Sequence, residues 1–352
     1  MGLDMNKIIL AMASCVLVGS VTYYGMFFDK DQSSDISKNN SQMSVLRYEQ
    51  QKTQEFLNHT NVLHQTLSQY CQADSLEKLA TVQTSWLETM HSWMPLQGQG
   101  KGPKKALDLS WTIQFWPDKK DITGRKMNQI LQNPDLWRVE SIEEQSVTVQ
   151  GLGAIEWLLF DEHSEFSRQD KSYCQLALSI SDNLTNHAEE INAAWQDNPW
   201  KALSESQWPA EYLGLIMNQL DFLLQKIQRP LAKIGHPRAY FSESWRSKQS
   251  LALMKSNIDA LYQLYLAESA GFDRLLREKG LSDLADRLDL QFKQTLETWP
   301  AQASLFDMLQ TKDGYREVLA QQNKLQRLKY LFHDEAAVEL GIVVGFNSTD
   351  GD

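Results

Sequence analysis

The sequence has little of the chemistry that marks common enzyme families. It contains three cysteines in 352 residues, and it has no HExxH, CxxC, GxSxG, Walker A or strand-linked GxGxxG motif. Its seven histidines are scattered, and His59 and His64, which are five residues apart, do not share a helix face, so there is no strong zinc signature. Zinc-enzyme, hydrolase and nucleotide-binding functions therefore have no sequence signal.

Basic residues are also in deficit. Against 45 Asp and Glu there are 34 Lys and Arg, which gives a formal net charge of -11. Such an acidic chain does not offer the basic surface that nucleic acids need. We therefore expect no nucleic-acid partner.

Strand signals are sparse, and helical periodicity covers most of the chain. With 42% hydrophobic residues the chain is able to bury a large core. We predict an all-α, two-lobed double four-helix bundle, with a first bundle at 45–200 and a second at 201–352. Each bundle is interrupted by one aromatic, charged loop.

The N-terminus holds the one long hydrophobic run, the 21 uncharged residues Ile8–Phe28. This length spans a bilayer as a helix, so 1–28 is either an uncleaved signal anchor or a lipoprotein signal with lipid on Cys15. The polar residues 29–44 then read as a flexible tether. Both alternatives place the body of the protein on the periplasmic side of the inner or outer membrane of a bacterium.

The stretch Ser146–Asp161 is the most unusual part of the sequence. Its apolar spacing predicts a helix, but Gly151 and Gly153 each weaken that helix by about 1 kcal/mol relative to Ala. Glu156 has mainly apolar neighbours one turn away, and a buried carboxylate needs a partner or a proton. Two interpretations remain open: a ligand site beside Glu156, or close helix packing with Glu156 paired to an arginine.

Cys71 and Cys174 fall near the ends of two predicted helices that meet at one pole of an up-down bundle. A disulfide between them is geometrically allowed, and an exported domain permits it. The alternative is a pair of buried thiols.

The segment Gly151-Leu152-Gly153-Ala154-Ile155-Glu156 resembles the GxHxxE signature of the imelysin family, also called peptidase M75. The order of further blocks matches as well, namely Trp86…Trp93, Gln114–Lys120, Glu243…Arg246-Ser247…Ser250 and the terminal Gly345–Asp352. The chain is most similar to the bacterial branch described as iron-regulated proteins or periplasmic lipoproteins.

This resemblance implies a helical fold with a pocket between two lobes, faced by Glu156 and the Arg246-Ser247 loop. It also implies a link to iron uptake, with iron or another divalent metal as the cofactor and envelope iron-uptake or redox proteins as partners. The family's histidine is Gly153 here, so Glu156 is left as the single candidate metal ligand, unless His163 joins it. Since imidazole or thiolate usually accompanies carboxylates at such sites, metal-dependent peptidase activity is not the favoured function.

We expect Arg246 to neutralise Glu156 through a two-bond contact, because a planar guanidinium fits a carboxylate. The candidate ligand-binding residues are Glu156, Gly153, Gly151, Arg246, Ser247, Glu243, Trp116 and Asp118. Loop packing for Trp116 and turn capping for Asp118 are the alternative roles. The terminal Asp350 and Asp352 belong either to a calcium site or to a frayed tail.

Three functions follow as hypotheses. The first is an envelope-anchored protein that binds iron, another metal or a metal complex in metal homeostasis. The second is a metal-dependent peptidase of the M75 type, and the third is a non-catalytic interaction scaffold. The catalytic residues, if any, are not identified by the sequence.

Overall fold

The structure, a computed structural model, describes residues 41–72, 77–136, 142–168 and 170–343. Within these ranges the regular structure is helical, apart from one isolated bridge between Lys233 and His236. None of the helices in them is long and apolar enough to cross a membrane. The apolar run 8–28 and the terminal Asp350 and Asp352 lie outside the described residues. Residues 41–44, which we assigned to the tether, are already helical.

The helices of the first half carry the labels α1 to α7. They are α1 (41–72), α2 (Glu77–Trp93), α3 (Lys104–Asp108), α4 (Ser110–Ile113), α5 (Ile122–Leu131), α6 (Gly151–Phe160) and α7 (Lys171–Ala194). Helix α6 packs against α2, α5 and α7, which places it inside the first half.

The second half supplies α8 to α14. They are α8 (Trp208–Leu231), α9 (Ser250–Leu266), α10 (Phe272–Glu278), α11 (Ser282–Glu297), α12 (Leu305–Met308), α13 (Lys312–Tyr330) and α14 (Ala337–Glu339). A π-helical turn, Leu331–Ala336, joins the last two. Helix α8 packs on α9 and α13, and α2 contacts α9 across the two halves.

The predicted helix Ser146–Asp161 is wrong in its first turns. A 3-10 turn occupies Val147–Val149, and the α-helix begins at Gly151. Gly151 has φ +64°, and a Cβ atom there would overlap the carbonyl oxygens of Thr112 and Ile113. The glycine is therefore required by close backbone approach.

The apolar spacing of Phe272–Trp299 predicts one helix, and this is wrong, because the stretch forms the two helices α10 and α11. Gly280, with φ +80°, follows the end of α10, and the Leu281 N–H donates to the carbonyl of Leu276. This is the usual way in which a glycine stops a helix. The apolar spacing continues through the break, so periodicity alone did not reveal it.

One continuous core joins the two halves. The rings of Trp195, Trp200, Trp208, Tyr212 and Phe272 follow each other at centroid distances of 5.4, 5.3, 5.2 and 5.5 Å. This row of rings runs through the junction that we predicted near residue 200. The chain around residue 200 is therefore packed with buried aromatic side chains.

Cys71, near the end of α1, and Cys174, in the first turn of α7, form a disulfide with a Cα–Cα distance of 5.6 Å. The bridge closes a segment of 103 residues. A cross-link of this span restricts the unfolded chain and typically contributes about 2–5 kcal/mol to stability.

Glu49 is a fully buried carboxylate in α1. Its Oε2 accepts a 2.6 Å hydrogen bond from Gln99 Nε2, whereas its buried Oε1 has no partner among the described residues. Burial raises the pKa of Glu49 from 4.5 to about 8. A raised carboxyl pKa means that the folded state holds its proton more tightly than the unfolded chain does.

We predict that Glu49 makes the protein less stable as the pH rises. The stability that protonated Glu49 contributes is fully present below about pH 4.5. It is lost as the pH rises through about 8, because the folded state then contains a buried charge. Glu49→Gln removes that charge, so its melting temperature should exceed that of the wild type by a few degrees at pH 9 and by much less at pH 5. Glu317→Gln, at an exposed carboxylate on α13, is the matched control. A difference that does not change with pH would contradict this assignment.

Candidate functional site

Glu156 lies where the first half meets a loop of the second. Its side chain is on α6 and is 5% exposed, and the loop 242–250 precedes α9. Oε1 accepts hydrogen bonds from Ser247 N at 2.9 Å and Ser247 Oγ at 2.8 Å. Burial raises the pKa of Glu156, while the charge of Arg246 and the two Ser247 bonds oppose that rise. The carboxylate thus sits in the inter-half contact rather than on the outer surface.

Arg246 does not form the two-bond contact with Glu156 that we expected. Its Nε donates to Asp161 Oδ2 at 2.6 Å, and its Nη2 forms an ion pair with Asp121. The guanidinium also lies over the Trp245 ring, 4.5 Å from its centroid. Arg246 is therefore held by Asp161, just after the end of α6, and by Asp121, just before the start of α5. The charge of Arg246 opposes the rise in the pKa of Glu156.

A second buried ion pair lies behind this loop. Glu243 pairs with Lys226 of α8, and both side chains are about fully buried, at 1% and 0% exposed. Lys226 Nζ also donates to Gln97 Oε1 and Asn257 Oδ1, each at 2.7 Å. Gln97 and Gln114, both from the first half, donate to Glu243 Oε1 at 2.5 and 3.0 Å. Burial lowers the pKa of Lys226, and the charge of Glu243 opposes that change.

Sequence reasoning missed Lys226. On α8 it belongs to a buried row with Gln219, Leu223 and Pro230, spaced by four, three and four residues. A lysine inside an otherwise buried row could have identified Lys226 from the sequence, because a buried ammonium group requires a partner. Its partner, Glu243, was among the candidates.

Trp116 and Asp118 border the same contact with mainly structural roles. Trp116 is 5% exposed and donates from Nε1 to the Phe241 carbonyl at 3.2 Å. Asp118 accepts from the backbone N–H groups of Ile122 and Thr123, at 2.6 and 3.0 Å. It therefore caps the start of α5.

Gly153 stands in open space. An ideal Cβ built there would have the Phe115 carbonyl oxygen, 4.0 Å away, as its nearest neighbour. Gly153 and Glu156 are three residues apart and lie on the same face of α6. Gly153 is thus replaceable, in contrast to Gly151.

The open space beside Glu156 is small. A cavity of about 30 Å³ is lined mainly by segments 114–118 and 242–246 together with Gly153, Glu156 and Tyr240. This volume holds about one water molecule. Glu156 Oε2 has no hydrogen-bond donor among the described residues, so one carboxylate oxygen remains for an incoming group.

A bare metal ion does not fit this site. Within the described ranges, no three His, Cys, Asp or Glu side chains are grouped so that they would hold a metal ion. His163 hydrogen-bonds to Asp161 at 3.0 Å and its side chain is 71% exposed, so it does not join Glu156. Glu156 by itself, with one oxygen already bonded to Ser247, offers too few ligand atoms for a transition metal.

Comparison with known proteins agrees with this fold. The family model for imelysin, peptidase M75, matches residues 49–332. No curated protein matches this chain at a significant level. An imelysin-like protein from Psychrobacter arcticum 273-4 superposes with a TM-score of 0.74 at 18% identity, covering 89% of this chain and 98% of its own.

A second solved structure is similar over most of the chain. It is a putative iron-regulated protein A precursor from Parabacteroides distasonis ATCC 8503, with a TM-score of 0.63 and 14% identity. It covers 83% of this chain and 94% of its own. Both likenesses confirm the predicted all-α fold. Because the family model matches most of this chain, residues 49–332, the chain belongs to the imelysin family.

Proposed function

We propose that this protein is an exported binding protein of iron homeostasis, and that the site at Glu156 takes a polar group of an iron complex rather than a bare ion. The observation that carries the proposal is Glu156 itself, a buried carboxylate that Ser247 binds through one oxygen and that lines a small cavity. A buried carboxylate of raised pKa with a nearby charge partner is a typical functional-site feature.

The proposed connection with iron rests on similarity to known proteins. The family model and the iron-regulated protein from Parabacteroides support a ligand-binding role connected with iron. Export is supported by the apolar run 8–28 and by the disulfide, which oxidising compartments permit. An anchor or a lipid on Cys15 would hold the protein at the periplasmic face of a membrane, near envelope iron-uptake or redox proteins.

The cavity limits what enters. At about 30 Å³ it admits one small group, such as a hydroxyl or a metal-bound water, while the rest of the complex stays outside. Glu156 Oε2 accepts a hydrogen bond from that group. Arg246 also lines the cavity, where Asp161 and Asp121 balance its charge.

Peptidase activity is the second candidate, because the matching family is named as peptidase M75. Hydrolysis needs a metal-bound or base-activated water. Glu156 is the one candidate base at this cavity with a raised pKa. Cleavage of casein that disappears in Glu156→Gln would establish the enzyme; absence of both binding and cleavage would leave the interaction scaffold.

We predict that ferric citrate binds the wild-type protein and that Glu156→Gln weakens this binding roughly tenfold, about 1.4 kcal/mol. Glutamine retains an oxygen to accept from Ser247 but has lost the negative charge. Isothermal titration calorimetry with ferric citrate and with citrate alone measures the effect. Glu317→Gln serves as the control. Equal affinity in Glu156→Gln and the wild type would contradict the proposed site.

We predict further that Gly153→His creates affinity for Zn(II). The open space at Gly153 accepts a side chain, and an imidazole three residues before Glu156 supplies the missing nitrogen ligand. Gly153→Ala is the matched control, since it also replaces the glycine but adds no ligand. Zinc titration should show binding at least about tenfold tighter in Gly153→His than in Gly153→Ala. Identical titrations would show that position 153 does not face a metal-competent cavity.

A further inference from the structure

A separate pocket lies between the 97–116 segment and helix α8. It has a volume of about 230 Å³. At about 30 Å³ per water molecule this corresponds to about eight waters, which suits one small ring-shaped ligand. It shares Gln114 and Trp116 with the Glu156 cavity and is otherwise lined by different residues.

Two glycines shape this pocket. Gly98, with φ +76°, would carry a Cβ 2.5 Å from Phe222 Cβ, and a Cβ at Gly100 would overlap the side-chain amide of Asn218. The segment 98–100 therefore lies directly on α8. This contact fixes the side chains of Gln97 and Gln99 at the pocket wall.

The polar part of the wall consists mainly of amides, with Ser110 and Asp221 beside them. Gln97, Gln99, Gln114, Asn218 and Gln225 all line the pocket. An amide side chain offers both donors and an acceptor, which matches hydroxyl groups that also donate and accept.

Several of these polar groups have unused hydrogen-bonding capacity. Gln99 Nε2 is occupied by Glu49, which leaves Oε1 as an acceptor. Gln225 Oε1 accepts from Arg229 at 3.1 Å, which leaves its NH₂ group. Asn218 makes no side-chain hydrogen bond within the described residues, and the buried Nε1 of Trp93 has no partner there either. Of these groups the Trp93 N–H is buried, and a buried donor is costly unless something bonds to it.

The apolar part of the wall is aromatic. Trp111 is 52% exposed, which is unusual for a tryptophan, and lies within ring-contact distance of Phe115 at 6.2 Å. Trp116 and Phe222 form an edge-to-face pair at 5.5 Å behind it. Aromatic faces next to a few polar groups are the usual lining of a small-molecule site.

The pocket carries no unbalanced charge. Asp221 is its one ionised lining residue, and it pairs with Lys329 at 2.7 Å. Lys226 and Glu243 neutralise each other behind Gln97. The wall therefore favours a neutral ligand.

We propose that this pocket binds one ring of a neutral sugar. The apolar C–H face of the ring packs on Trp111, and its hydroxyls bond to Gln99, Asn218 and Gln225. This site is independent of the one proposed at Glu156.

Saturation-transfer difference NMR tests the proposal on the full-length protein, kept free of detergents with sugar headgroups. The probes are D-glucose, D-galactose, D-mannose and N-acetyl-D-glucosamine, with D-glucuronate as the charged comparison and glycylglycine as the peptide comparison. We expect saturable transfer to at least one neutral sugar and weaker transfer to glucuronate. Trp111→Ala and Asn218→Ala should each weaken binding roughly tenfold, about 1.4 kcal/mol.

Tyr330→Ala is the matched control, because Tyr330 is also an exposed aromatic residue, at 45%, and does not line this pocket. It should leave sugar binding unchanged. Transfer to none of the four neutral sugars would overturn the proposal. So would binding that survives both pocket variants, or binding of glycylglycine in place of the sugars.

Discussion

Among the contacts that join the two halves, the bonds from Ser247 to Glu156 are the ones that hold the loop 242–249 on helix α6. A carboxylate inside a helix of the first half accepts both the backbone N–H and the hydroxyl of one serine in the second. This loop includes Ser244 and Lys248 at φ +49° and +60°, a region that side-chain-bearing residues seldom adopt. Such conformations persist only where surrounding contacts hold them, and they gather at functional sites. The carboxylate is one of those contacts.

The buried pair of Lys226 and Glu243 fixes the same loop from behind. Replacing a buried ion pair with apolar residues is often neutral for stability, so its benefit lies elsewhere. Here every donor to the Glu243 carboxylate comes from a different segment: Lys226 from α8, Gln97 and Gln114 from the first half. These bonds therefore hold the loop in one position between the halves. In that position Arg246 lies between Asp161 and Asp121, and Ser247 bonds to Glu156.

The sequence predicted the helices well because each buries one apolar face, and it identified Glu156 because a carboxylate among apolar neighbours is conspicuous. It failed at Gly151 and Gly280, where backbone geometry ends or begins a helix within an unbroken apolar pattern. It assigned Arg246 to Glu156 because charge complementarity does not tell which of several carboxylates is nearest. Asp161 and Asp121 compete for the same guanidinium, and only the three-dimensional arrangement decides. The amide-lined pocket was invisible for a similar reason, since Gln97, Gln99 and Asn218 become neighbours only through the close approach at Gly98 and Gly100.

The bond between Ser247 and Glu156 is tested most directly by amide hydrogen exchange of the segment 242–250. We predict that the Ser247 amide exchanges slowly, as in a core helix, and that Glu156→Ala removes this protection while Glu317→Ala does not. A Ser247 amide that exchanges as fast as an exposed loop in the wild-type protein would show that Glu156 does not hold this loop.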